Sequence, residues 1–346
     1  MKKISKIIGI LLIVVVASFA GFLGFMSLTD YRPEPIEHLK VDGQGIVLSK
    51  SDTFDFITWN IGYCGLGKEQ DFFFDGGRNV RPEKKLQERY LNGVLDQLSE
   101  MKGIDFILLQ EVDRRSKRSY YTDQVPLIAE KLPNYALAFT YNYKTSFIPQ
   151  PLTQPYGRAE GGLLTLSRYQ PSSSHRHALA PDASWPTGLF MLKRCFMTFR
   201  YMLQDGKELV VVNQHLSAYD DGTVKQQQMD TLKRFLLNEY NKGNYIVVGG
   251  DWNQFPPDYK PILSGRDGVK GMNVEADYPA VGWKWAYDLS APTNRKLNKP
   301  YREDQTETVV IDYFLLSPNI TLMDVKVWDI HFEYSDHQPV YLKLVF

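Results

Sequence analysis

Six short stretches of this chain set a polar, chemically competent residue against an apolar run. "FDFITWN" ends on Asn60, "DFILLQE" ends on Glu111, and "ELVVVNQHL" carries His215. "YIVVGGDWN" closes with Asp251 and Asn253, "VVIDYFLLS" holds Asp312, and "SDHQPV" contains Asp336 and His337. Singly, each has an ordinary reading as a turn or surface residue, because Asn and Asp bond readily to nearby backbone. Jointly they bring four carboxylates, Glu111, Asp251, Asp312 and Asp336, to strand ends that a sheet would gather at one edge. Two carboxylates about 5 Å apart repel by roughly 3 kcal/mol at an effective dielectric near 20, so four need a cation. Oxygen-rich ligands of this kind suit Mg²⁺, with Mn²⁺ or Ca²⁺ as alternatives, rather than zinc. Two histidines among the acids supply proton transfer or a hydrogen-bond donor to phosphate. The chemistry this implies is metal-assisted hydrolysis of a phosphate ester.

The elements that would position these residues are legible as patterns. Residues 105–111, 208–216, 245–253 and 309–317 are near-continuous apolar runs of strand length, suited to strands buried on both faces. The stretch 340–346 alternates instead, with Val340, Leu342, Leu344 and Phe346 on one face. A helix is expected from Pro82 at its first position, since Leu86, Tyr90, Val94, Leu98 and Met101 recur at helical spacing. Val224, Leu232, Phe235, Leu236 and Tyr240 mark a second, and 123–132 a shorter third. Strands mixed with such helices predict stacked layers with sheets in the middle. Residues 265–305, rich in Gly, Pro and Asn, read as a long functional loop region.

The N-terminus is of another kind. Lys2, Lys3 and Lys6 precede an uncharged apolar segment, residues 7–26. Twenty residues at about 1.5 Å each span roughly 30 Å, the hydrocarbon thickness of a bilayer. Ser18-Phe19-Ala20 has the small residues a signal peptidase reads, but the apolar run continues through Phe22, Leu23, Phe25 and Met26. An uncleaved anchor is therefore favoured over a cleaved signal peptide. The lysines before the span place the N-terminus in the cytoplasm and the body outside it, periplasmic or extracellular. The expected organisation is an anchor at 1–29, a linker at 30–50 and a catalytic domain at 51–346. With the three lysines set aside, 37 basic residues face 40 acidic ones, a net charge near −3. That does not resemble a protein that holds duplex DNA by bulk electrostatics. Cys64 and Cys195 are the only cysteines, with no metal-type spacing, and whether they pair is open.

In order along the chain, "TWNIG", "LLQEVD", "NQHL", "GGDWN", "IDYFLLS" and "SDHQPV" resemble the motifs of the endonuclease/exonuclease/phosphatase family, the deoxyribonuclease I-like fold. The resemblance covers about residues 54–346. It implies an α/β four-layer sandwich of two mixed β-sheets flanked by helices, with a metal site at one edge of the sheets. Carried over by motif, Glu111 is the principal metal ligand, helped by Asn60, and Asp336 belongs to the metal shell. Asp251 orients or deprotonates the attacking water, and Asn253 donates to a non-bridging phosphate oxygen. His215 lies near the leaving group, and His337 contacts phosphate, oriented by Asp312. Which histidine protonates the leaving group, and whether one metal binds or two, stay open.

Local features bear on the substrate. "DRRSKR" at 113–118 would place Arg114, Arg115, Lys117 and Arg118 near the rim as a clamp for extra phosphates, with a solvated loop as the alternative. "PTNR" places Arg295, and "YGRAEGG" places Arg158 or Glu160, within reach of the cleft. The chain reads as a divalent-metal phosphodiesterase held at a membrane. A small or lipid-linked phosphoester is expected, because the one dense basic run, Arg114 to Arg118, is too short to track a duplex. A nuclease acting on DNA or RNA, a sphingomyelinase-like lipase and an inositol-phosphate phosphatase remain alternatives. A non-catalytic binding protein on the same scaffold would be expected to lose some of the six motifs, and all are present. No obligate protein partner is evident.

Overall fold

The apolar runs become strands, and their two faces serve two different layers. A computed structural model describes residues 2–48, 53–179, 183–218, 222–261 and 271–346. The early strands are β1 (Ile36–His38), β2 (Phe54–Asn60), β3 (Phe106–Asp113), β4 (Ala136–Ile148) and β5 (Gly157–Ser167). Next come β6 (Ser173–Ala178), β7 (Cys195–Met202), β8 (Glu208–His215), β9 (Tyr245–Asp251) and β10 (Lys284–Ala286). The late strands are β11 (Asn294–Arg295), β12 (Thr308–Val309), β13 (Asp312–Leu316), β14 (Thr321–Val327) and β15 (Val340–Val345). The helices are α1 (Lys2–Leu28), α2 (Lys84–Glu100), α3 (Gln124–Lys131) and α4 (Thr223–Asn241).

Two mixed sheets result. One has the order β14-β15-β2-β3-β5-β4, and the other β1-β6-β7-β8-β9-β13-β10. Each contains one parallel pair of central strands, β2 with β3 and β8 with β9. Side chains alternate across a strand, so β2 sends Phe54 and Phe56 one way and Ile57 and Trp59 the other. Phe56, Phe106 and Leu108 meet Phe199, Val211, Val247 and Phe314 between the sheets. On the outer side Ile57, Trp59, Ile107 and Leu109 pack with Val94, Leu95 and Leu98 of α2 and Ile128 of α3. Val210, Val212, Ile246 and Val248 do the same beneath Met229, Leu232 and Leu236 of α4. The layers are thus helices, sheet, sheet, helix, as expected.

Several boundaries differ from the sequence reading. Pro82 lies outside α2, which starts at Lys84, and its carbonyl accepts from the Tyr120 hydroxyl at 2.8 Å. The 309–317 run splits. Thr308–Val309 pairs with β11, and β13 begins only at Asp312. The stretch read as a linker at 30–50 carries β1, which pairs with β6, and Leu39 joins the inter-sheet core. Its residues 49–50, with 51–52 of the expected domain, lie outside the described residues. Within the loop region 265–305, β10 extends a sheet beside β13, and 265–270 lie outside the described residues. Cys64 and Cys195 are both buried and free.

The 27-residue α1 contains an 18-residue window of mean hydropathy 2.7, long and apolar enough to cross a membrane. Almost all of it is exposed; Met26 is its one buried side chain. Near its end, the Phe22 ring lies 6.0 Å from that of Phe190 and 6.1 Å from that of Phe147.

Candidate active site

Strand register brings the polar ends together. Asp251 of β9 is opposite both His215 of β8 and Asp312 of β13, while Asn60 of β2 is opposite Gln110 of β3. Glu111 arrives by a different device. The pairing of β3 with β5 shifts register between Leu109 and Val112. A bulge of this kind re-aims a side chain. Glu111 sits there at φ +55°, left-handed backbone that costs a non-glycine residue about 1–2 kcal/mol. Asn253, just past β9, has φ +49°. Gly62 is required by contact as well as by φ +49°: a Cβ there would lie 2.7 Å from Asp336 Oδ1 and 3.1 Å from Ser335 Oγ. Behind the site a buried amide pair ties the sheets together. Gln110 Nε2 donates to Asn213 Oδ1 at 2.8 Å, and Asn213 Nδ2 donates to the Leu109 carbonyl at 3.1 Å.

The polar groups form one hydrogen-bonded cluster. His337 Nδ1 lies 2.8 Å from Asp312 Oδ2, and its ring Nε2 is 3.8 Å from both Asp251 and Asp336 Oδ2. Trp59 Nε1 donates to the His337 carbonyl at 3.0 Å, and the Asn294 side-chain amide lies 2.9 Å from His337 Nε2. Asn60 Nδ2 donates to Asp251 Oδ2 at 3.1 Å and to Glu111 Oε1 at 3.4 Å, while Asn60 Oδ1 accepts from the Gly62 amide at 3.0 Å. Asp251 Oδ2 is 3.3 Å from His215 Nε2, and Asp251 Oδ1 accepts from the Asn253 amide at 2.9 Å. Asn253 Nδ2 donates to the Leu216 carbonyl at 3.0 Å, leaving its second N–H for another acceptor. Glu111, His215, Asp251, Asn253, Asp336 and His337 all face one cavity of about 1270 Å³.

Burial and charge set the protonation of the two histidines apart. For His215, burial and the nearby charges of Arg194, His337 and Arg118 hold the imidazole well below its ordinary range, hence neutral. For His337, burial acts in the same direction, but Asp312, Asp336 and Asp251 outweigh it and hold the ring well above that range. Asp251 is pushed up to about 6 by burial and by Asp312. Asp336 is pushed up to about 7, by burial and by Glu111 against the opposing pull of His337.

These shifts test whether the residues fit a cation. Buried carboxylates pushed toward the neutral form are acids short of positive charge. Asp312 Oδ1 is buried with no hydrogen-bond partner among the described residues. Asp251, Asp312 and His337 place ligand-type atoms within 4.8 Å of one another. A charged imidazole has no lone pair to offer a metal, however; within this trio His337 is hydrogen-bonded to Asp312 at 2.8 Å, and Asp251 lies 3.8 Å from the ring. Among the carboxylates that face the cavity, Glu111 and Asp336, with Asn60 beside Glu111, make a hard-oxygen set that fits a divalent cation.

The basic residues expected at the rim are placed otherwise. Arg114 makes a forked pair with Asp123, lies over the Phe139 ring and faces a separate small cavity. Arg158 is half exposed and pairs with Glu160, away from the main cavity. Arg118 and Arg295 do line that cavity, but both are buried and committed. Arg118 makes a forked pair with Asp113 at 2.8 and 2.9 Å and lies over the Tyr63 ring. Arg295 Nη2 donates to the carbonyls of Leu66, Gly67 and Gln70, fastening a loop. Asn294 and Tyr63 are among the cavity-facing residues that the sequence reading does not single out. Asn294 stands beside Arg295, and Tyr63 lies in the "TWNIGYCG" turn. Neither ends an apolar run, the signal that found the others.

Two mixed sheets with buried acids and histidines at one edge define a phosphoesterase-type sandwich. The endonuclease/exonuclease/phosphatase family model matches residues 57–337. The chain belongs to that family, whose members hydrolyse phosphoesters. No curated protein sequence matches it significantly. Among solved structures it is similar to the endonuclease/exonuclease/phosphatase from Beutenbergia cavernae at 17% identity and a TM-score of 0.58, covering 86% of this chain and 72% of that one. It is also similar to ANGEL2, a 2',3'-cyclic phosphatase, at 15% identity and 0.54, covering 89% and 98%. The human Nocturnin catalytic domain with bound sulfate gives 16% and 0.53, covering 89% and 97%. At these identities the likeness shows the shared fold.

Proposed function

We propose that this chain is a divalent-metal-dependent phosphodiesterase acting on a small or membrane-borne phosphoester. The observation that carries the reading is the convergence of Glu111, Asp251, Asp336, His215 and His337 on one cavity, with the His337–Asp312 pair at its floor. Glu111, Asp336 and Asn60 hold the cation. When bound, Mg²⁺, or Mn²⁺ or Ca²⁺ in its place, supplies Lewis-acid polarisation of the phosphate.

The chain's own residues do the rest. Asp251, pushed up to about 6, is suited to orient the attacking water and take its proton near neutral pH. The water oxygen forms a bond to phosphorus as the ester P–O bond breaks, and the leaving oxygen takes up a proton. His337, held charged by three carboxylates, stabilises the phosphoryl oxygens, and the second N–H of Asn253 donates to a non-bridging one. His215 lies on the other side of Asp251 and completes the set from which the leaving group is protonated. Among the fold neighbours, ANGEL2 is a cyclic phosphatase, consistent with phosphoester chemistry on this scaffold.

The test is hydrolysis of bis(p-nitrophenyl) phosphate with Mg²⁺, and its loss with chelator. No hydrolysis with any divalent metal would leave a binding protein on this scaffold. A panel of plasmid, RNA, sphingomyelin and inositol phosphates then fixes the substrate. Efficient plasmid cutting that falls steeply with salt, with no turnover of the rest, would make it a nuclease. We propose further that α1 anchors the protein, with the body outside the cytoplasm, since three lysines precede the span. Membrane fractionation and protease accessibility read this directly, and a soluble mature form starting at Gly21 would show cleavage instead.

A further inference from the structure

The cavity that contains the acids and histidines does not end with them. At about 1270 Å³ it exceeds the roughly 300–1,000 Å³ usual for small-molecule sites. Much of its remaining lining is apolar and of unusual origin: Phe19, Phe22 and Leu23 come from α1, and Ile148, Phe190 and Met191 come from the body. The contact is specific, because the Phe22 ring stacks on Phe190 and meets Phe147 edge-on. The helix that is apolar enough to cross a membrane is therefore one wall of the catalytic cavity.

Its position along the helix sets a depth. The uncharged segment runs to Met26, and Phe22 lies four residues before it. At about 1.5 Å per residue, that is about 6 Å inside the end of the span. The part of the cavity lined by Phe22 thus lies at the margin of the hydrocarbon on the body's side. The surroundings agree. Trp185 is 64% exposed and donates from Nε1 to Ser27 Oγ at the end of α1. Met191, which lines the cavity with Phe22 and Leu23, is 45% exposed. Large apolar side chains grouped around the end of a spanning helix, with a Trp among them, match a surface seated in the membrane interface.

We infer that the substrate is a lipid phosphoester. Its phosphate lies among the acids and histidines, and its hydrocarbon lies along the wall formed by α1, reached sideways from the leaflet on the body's side. The inference rests on the phosphodiesterase reading and adds the class of substrate and the part α1 plays in holding it. A soluble nucleotide or inositol phosphate would leave the apolar half of the cavity unmatched.

The experiment uses the full chain in vesicles of phosphatidylcholine and phosphatidylglycerol. The phosphatidylglycerol carries a photoactivatable diazirine at the end of one acyl chain. Crosslinks should fall within residues 19–23 and 186–192. In the same preparation the rate of lipid phosphoester cleavage is divided by the rate on bis(p-nitrophenyl) phosphate. Phe190→Ala should lower that ratio about tenfold or more, the effect of losing a large apolar contact. Met191→Glu, at a partly exposed position where folding is less at stake, should lower it in the same direction. Hydrolysis of the soluble ester without lipid cleavage overturns this inference and leaves the hydrolase reading standing. So do crosslinks elsewhere combined with unchanged ratios in both variants. Failure of the parent to hydrolyse the soluble ester overturns the hydrolase reading, and this inference with it.

Discussion

The same strands build two regions of opposite character. Between the sheets, Phe56, Phe106, Phe199 and Phe314 are fully buried, and Phe56 stacks on Phe106 at 4.4 Å. A few residues further along, β2 delivers Asn60 and β3 delivers Glu111, the latter at left-handed backbone and the former among buried acids. The interior stabilises through apolar area and asks nothing of solvent. The edge holds carboxylates pushed toward neutrality at about 6 and 7, together with a charged and a neutral histidine. Such a cluster opposes folding and is tolerated because the interior supports it. The two regions should therefore respond oppositely to substitution.

The largest effect is expected at Glu111. Glu111→Gln should cut turnover of bis(p-nitrophenyl) phosphate by about three orders of magnitude, several kcal/mol of transition-state stabilisation. Removing a charge from a crowded acidic site should leave the melting temperature unchanged or higher. Activity within about threefold of the parent at saturating Mg²⁺ would remove Glu111 from the proposed role. Phe106→Ala is the converse experiment. It should lower the unfolding free energy by about 3–4 kcal/mol in urea titrations, while activity per folded molecule stays near that of the parent. A loss of activity larger than the unfolded fraction explains would mean that the two regions are not separable.

How much of this was legible in the sequence depends on the range of the signal. Asn60, Glu111, His215, Asp251, Asp312 and His337 were found because each ends or opens an apolar run, a pattern written within one strand. Sheet register then brings them together. The local periodicities predict stacked layers with sheets in the middle, and the four-layer order is what the family resemblance implies. What the basic residues are paired with was not legible, because an arginine's partner is set elsewhere. Arg114 is taken up by Asp123 at the start of α3, and Arg118 by Asp113 within its own turn. β1 was invisible because a three-residue edge strand has no periodicity to read. Asn294 was invisible because its nearness to His337 comes from an isolated bridge between distant segments.

The histidines sharpen the comparison within the edge itself. His215→Ala and His337→Ala should each lower turnover by about two orders of magnitude, with little change in stability. Whichever acts as the acid should recover on substrates with good leaving groups. The mutant whose loss is smaller on nitrophenyl than on alkyl esters identifies it. Equal losses on both ester types for both mutants would mean that neither protonates the leaving group.

The smallest expected effect lies in a third environment, a buried acid whose charge is fully answered. Glu239 of α4 accepts from Arg200 Nη2 at 2.7 Å, from Asn244 Nδ2 at 2.8 Å and from Lys242 Nζ at 2.8 Å. Burial pushes its carboxyl up, but the bonds from Arg200, Lys242 and Asn244 outweigh that and hold it at about 2. This acid, unlike Asp251 and Asp336, stabilises the fold in its charged form. Because the folded value is depressed, the contribution is fully present above the unfolded Glu value of about 4.3 and is lost as pH falls from there through about 2. Glu239→Gln should therefore destabilise the protein by about 2 kcal/mol near pH 7, with turnover unchanged. The gap between parent and mutant should narrow as urea titrations are carried down toward about pH 3. A gap that stays constant across that range would show that Glu239 acts through packing alone, and the contrast between answered and unanswered buried acids would fail at its best-satisfied example.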